Sequence, residues 1–160
     1  MTENPEGSSG LPDNIKDLEV QKKTIDDSIN QLEAEIRTLE EPDFKKAVKI
    51  GMQYLEMQIS KSLIDRKISL ALQPTTPERY FSFETDPLIV ILECAKEGHY
   101  WAAKEYFNEV GRWELAVANF YRRKGRKEDA FSSTKLGLGF LRISAALPDK
   151  GDPFSEDMLS

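Results

Sequence analysis

The sequence predicts an all-α protein: short antiparallel helices stacked in a row, with a longer heptad-patterned helix in front of them. Two features predict it. Apolar residues between Ile15 and Leu39 recur in an a/d pattern over four heptads. Three glycines, Gly98, Gly111 and Gly125, follow one another at intervals of 13 and 14 residues, and the residues after them repeat a pattern. After Gly98 and Gly111 an aromatic stands two residues on, an alanine five on and an aromatic nine on; after Gly125 only the alanine is kept.

Residues 1–12 are mostly Gly, Ser, Pro and acidic residues that bury too little apolar surface to offset the entropy of ordering, so a disordered tail is expected. Residues 13–42 form a coiled-coil-like arm. Its seam is Ile15, Lys22, Ile29 and Ile36 at a, with Leu18, Ile25, Leu32 and Leu39 at d. At ~1.5 Å per residue the arm is a rod of roughly 40 Å. Ile at a with Leu at d favours two parallel strands, and Lys22 opposes higher oligomers. Glu19, Asp26, Glu33 and Glu40 at e, with Glu35 at g, set glutamates against each other in a parallel homodimer. A basic heterotypic partner, an antiparallel pairing, or packing back on the chain's own domain avoids that repulsion.

Residues 43–148 form the helical repeat domain. After Pro42-Asp43 a second long helix starts near Phe44, with Phe44, Val48, Met52, Leu55, Ile59, Leu63 and Leu70 as its apolar side. The two prolines of QPTTPER stop it. YFSFET, residues 80–85, reads as an aromatic loop or short extended piece. Asp86-Pro87 reads as an N-cap with proline at the first helical position. Leu88 to Glu97 is almost wholly apolar and is expected to be a central, buried helix. Each glycine is then expected to be a corner, because glycine adopts the left-handed backbone that ends a helix. The aromatic and alanine after it share a face, so each helix docks on the one before. The last helix runs from about Lys127 to Leu147, where Pro148 ends it. Gly137 and Gly139 either permit close helix contact or break the helix. Residues 149–160 are expected to be a mobile acidic tail.

At YFNEVGRWELAVANF (Tyr106–Phe120) the chain resembles a tetratricopeptide repeat. Phe107, Gly111, Trp113, Ala116 and Phe120 stand at that family's aromatic, glycine, aromatic, alanine and aromatic places, and Tyr100 where its first large aromatic is expected. The match covers about Leu92 to Leu138. It departs from the family at Lys104, which replaces a small residue, at Arg123, which stands for the second alanine, in lacking the closing proline, and in its shorter period. The resemblance implies an α-solenoid, nearer to the irregular short-helix scaffolds of trafficking and transport, that binds other proteins through its surface.

The chain has 160 residues, 31% charged and 39% hydrophobic, and a net charge of −6, which argues mildly against nucleic acid as the main partner. The polar N-terminus reads as neither a secretory signal nor a presequence, and no apolar run reaches the ~18 residues of a membrane span. One cysteine, Cys94, fits a reducing compartment, the cytoplasm or alternatively the nucleus.

No P-loop, zincin, CxxC, nucleophile-elbow or dinucleotide fingerprint occurs. His99 lacks companion ligands for a metal and a companion nucleophile for catalysis. Cys94 reads as a buried small hydrophobe. Glu84 and Asp86 are the one carboxylate pair near the aromatic loop. No enzyme activity and no cofactor are expected. The cluster Arg122, Arg123, Lys124, Arg126 and Lys127 reads either as dipole-complementing cations at a helix end or as a phosphate-binding patch or nuclear import signal. Asp152–Phe154, DPF, resembles the peptide that docks into clathrin-adaptor appendage domains. The expectation is a non-catalytic interaction scaffold. It binds a peptide or helix through Lys104, Asn108, Arg112 and Asn119 on the repeat face, and the arm supplies a homodimer, a hetero-coiled coil or a docking point. The alternative is a nucleic-acid-associated helical protein that uses the basic cluster.

Overall fold

A computed structural model describes residues 13–72 and 86–152. The described chain is all helical: α1 (Asp13–Thr38), α2 (Phe44–Leu72), α3 (Pro87–Lys96), α4 (Trp101–Arg123) and α5 (Lys127–Ala146). The expectations for 1–12, for QPTTPER and YFSFET beyond Leu72, and for the tail beyond Asp152 lie outside the described residues.

The heptad seam of α1 packs within its own chain. Ile15, Ile29, Leu32, Ile36 and Leu39 are buried, and Leu18, Lys22 and Ile25 half-buried. α2 runs back along α1, and α5 crosses the C-terminal end of α1. Two members of the acidic column that disfavours a parallel homodimer find partners on α2. Lys61 Nζ lies 3.7 Å from Asp26, and the Tyr54 hydroxyl donates to Glu33 at 3.3 Å. Lys22, the polar residue in the seam, pairs with Asp65 at 3.0 Å. That hydrogen-bonded carboxylate raises the pKa of the ammonium.

α2 buries a wider face than its apolar spacing suggests: Leu55 of that spacing is fully buried, and Val48, Met52 and Ile59 pack half-buried against the core. Ala47, Ile50, Gly51, Tyr54, Leu55, Ile64 and Ile68 are inside, whereas Phe44 is exposed and meets Tyr100 edge-on at 5.3 Å. The reason is that α2 is covered from more than one direction, by α1, α3 and α5, so its small residues and Tyr54 turn inward as well. α3 is capped as the sequence predicts, with Asp86 Oδ1 accepting from Leu88 N at 2.9 Å. It is not central, however. Only Leu92 and Ala95 are buried and Val90 is half in solvent, because α2 and α4 cover one side of it.

The core joins all five helices around a ring cluster. Phe107 of α4 stacks on Phe140 of α5 at 6.0 Å, and Tyr54 of α2 approaches both. Ile36 of α1, Leu55 of α2 and Ile143 of α5 are sealed in the same core. Close approach is permitted by small residues. Gly51 faces the Phe107 ring, where an added Cβ would sit 3.0 Å from Cε2.

Two of the three glycine corners are found. Gly98 (φ 86°) and Gly125 (φ 74°) are left-handed. Each is closed by the amide of the next residue reaching back five residues, His99 N to Cys94 O and Arg126 N to Tyr121 O, both at 2.9 Å. The third is a correction. Gly111 lies inside α4, which runs unbroken for 23 residues. There is therefore no row of short helices between Gly98 and Gly125, but one long helix paired with α5.

Candidate functional site

α4 and α5 form an antiparallel hairpin fastened at both ends. At the open end Lys104 Nζ donates to the carbonyls of Ser144 and Leu147, both at 2.9 Å, satisfying the end of α5. Ser144 Oγ returns a bond to Lys104 O at 2.9 Å, and Trp101 N donates to Lys150 O at 3.0 Å. At the corner end Arg122 donates to Asn119 Oδ1 at 2.6 Å and to Thr134 Oγ1 at 3.2 Å.

A continuous α4 sends the two aromatic stripes to opposite sides. Residues 13 apart on a helix of 3.6 residues per turn are rotated by about 220°. The first stripe, Tyr100, Ala103 and Phe107, turns into the core, with Ala103 and Phe107 fully buried. The second, of like composition, turns to solvent. Trp113 is 68% exposed, Phe120 53%, and Ala116 between them is exposed. This corrects the expectation that each stripe docks on the preceding helix. Phe131 of α5 is also 64% exposed.

Phe120, Phe131 and the neighbouring Tyr121 carry cations. Lys124 Nζ lies 5.6 Å from the Phe120 ring centre, Lys135 Nζ 5.1 Å from that of Phe131, and the Arg126 guanidinium 4.6 Å from that of Tyr121. Arg126 is further held by Asp129 at 2.7 Å. The basic cluster is therefore partly committed to its own hairpin: Arg122 to Asn119 and Thr134, Arg126 to Asp129 and Tyr121. Arg123 and Lys127 are exposed beside them.

Of the residues read as a repeat face, Arg112 and Asn119 are exposed and Asn108 is half-buried. Lys104 is not on that face. It is held at the end of α5, where its ammonium lies 2.9 Å from the carbonyls of Ser144 and Leu147. Trp113, Ala116 and Phe120 themselves are the surface residues that the expected repeat pattern places inside. A wheel drawn over an unbroken α4 places them at the surface, and only the assumed corner at Gly111 hides it.

The remaining candidates are ordinary in their surroundings. His99 is exposed, against Gly151, and Cys94 is a half-buried free thiol. Asp86 is an N-cap, and Glu84 lies outside the described residues. Among the described residues no group of three or more His, Cys, Asp or Glu is placed to hold a metal, and no helix is long and apolar enough to cross a membrane.

One polar cluster lies where α1, α4 and α5 meet. Burial and the neighbouring Glu33 raise the Glu114 carboxyl above its ordinary value, against the opposing pull of Arg37 and a hydrogen bond with Ser133. Burial likewise pushes Tyr54 up strongly and Tyr106 up to about 12. A carboxyl raised on folding makes the native state bind more protons, so its contribution to stability falls as pH rises from its unfolded pKa through its folded one. Glu114→Gln is thus expected to match or exceed the wild-type melting temperature at pH 7. The difference between the two should shrink as pH falls below the ordinary carboxylate range. Thermal melts of both proteins across that range check this, and a Gln variant less stable at pH 7 contradicts it.

Compared with protein-family models, with curated proteins and with solved structures, the chain matches none of them.

Proposed function

We propose that this chain is a non-catalytic interaction module of tetratricopeptide-like character, in which the outer face of α4 docks a helix of a protein partner. The observation that carries this reading is the exposed Trp113–Ala116–Phe120 stripe. It repeats the composition of the stripe that docks α4 onto α2 in the core, a small residue flanked by two large rings. A large ring in solvent is a standing cost that burial in a complex recovers, and exposed Trp with Arg is the composition of interface anchors. Arg112 and Asn119 border the stripe and supply its polar rim.

The test is substitution on a surface that the fold does not need. Trp113→Ser and Phe120→Ser are expected to melt as wild type does. Each should weaken association with a purified partner, whether a foreign protein or a second copy, on the order of thirtyfold. If every association the wild type makes survives both substitutions, the reading fails.

A further inference from the structure

We infer that the helix received by this face is α4 of a second copy, laid antiparallel across the first. This rests on the docking reading above and specifies its occupant. Along the exposed side of α4 run Glu109, Trp113, Ala116, Phe120 and Lys124, at steps of four, three, four and four, all exposed. Those steps keep them on one seam of a helix. The seam begins with an anion and ends with a cation, with the aromatics placed symmetrically about its middle.

That order is complementary to itself only when reversed. Two antiparallel copies set Glu109 of each opposite Lys124 of the other, Trp113 opposite Phe120, and Ala116 opposite Val117 at the centre. The small central residue allows helix axes to approach to the usual ~8–10 Å. A parallel arrangement sets glutamate on glutamate and lysine on lysine. A peptide of uniform charge matches one end of the seam and is repelled by the other. Lys124 already lies over the Phe120 ring, which holds its charge at the edge of the seam. The arrangement is isologous and closes as a two-fold dimer. The apolar seam of α1 is spent inside the chain and does not compete for the role. The contact spans the sixteen residues from Glu109 to Lys124, about 22 Å of helix, so the dimer is expected to be concentration-dependent, at the small end of specific interfaces.

Sedimentation equilibrium on the full chain over a wide concentration range tests this. The wild type is expected to move from its monomer mass of 18.2 kDa toward twice that value. Ala116→Arg, at an exposed position, should stay monomeric with an unchanged melt. Glu109→Lys alone and Lys124→Glu alone should each weaken the dimer about tenfold, since each creates two like-charge contacts. The double swap should restore it. A wild type that stays monomeric at every concentration overturns the second copy; if binding of a foreign protein then still depends on Trp113 and Phe120, the docking face itself stands. A dimer indifferent to Ala116→Arg, or a double swap that recovers nothing, also overturns the inference.

Discussion

Gly139→Ala is expected to destabilise the protein by about 2–3 kcal/mol, against the gain of ~1 kcal/mol that alanine brings to a helix interior. Gly139 is the point where α5 crosses α1. A Cβ there would press on the carbonyl oxygen of Ile36, with Cγ2 of the same residue at 2.6 Å and its carbonyl carbon at 2.8 Å. Backbone cannot rotate away, so α1 has to move. Moving it uncovers Ile36, which is fully buried, and strains the Arg142 Nη1 bond to Leu39 O at 2.9 Å. For a chain of this size each kcal/mol lowers the melting temperature by about 2–4 °C. The loss should be accompanied by faster amide exchange in the last turns of α1. Gly125→Ala supplies the contrast. An alanine there meets nothing within 4 Å and is strained only by its positive φ, worth about 1 kcal/mol. If Gly139→Ala instead stabilises the protein, as helix propensity alone dictates, α1 does not lie across α5 at this distance.

The features legible in the sequence were those fixed by neighbours along the chain. Asp86-Pro87 caps α3 because an aspartate oxygen needs only the amide two residues on. Gly98 and Gly125 end their helices because the left-handed turn is closed within six residues. α5 begins at Lys127 and ends just before Leu147 and Pro148 for similar local reasons. The seam of α1 was legible as apolar, but not its occupant, since Ile29 and Ile36 look the same whether they meet another chain or α2 and α5. Gly111 departs from the expected corner for a physical reason. Glycine serves a corner by its backbone freedom and a crossing by its missing side chain, and nothing within a few residues separates the two. The residue that decides it, Gly137, is on another helix. A corner assumed at Gly111 buries the second aromatic stripe in expectation, and it moves the expected face from its rings to its rim.

The Gly111–Gly137 crossing makes the second large expectation, and it separates the two uses of glycine. A Cβ on Gly111 would stand 2.9 Å from Gly137 O and from Leu141 Cγ, and one on Gly137 would stand 2.8 Å from Gly111 O and 3.1 Å from Leu115. Each collision involves the facing helix's backbone, so either alanine is relieved only by parting α4 from α5. Each single substitution is therefore expected to cost about 1–2 kcal/mol net of propensity. The double variant should cost less than the two together, by at least about 0.5 kcal/mol, because the separation forced by the first alanine makes room for the second. Denaturant unfolding of the four proteins of the cycle measures this. A corner at Gly111 would give a cost indifferent to residue 137, and strictly additive values would return α4 to two helices. Coupling instead requires an unbroken α4 held against α5, and it is that continuity which turns Trp113 and Phe120 outward.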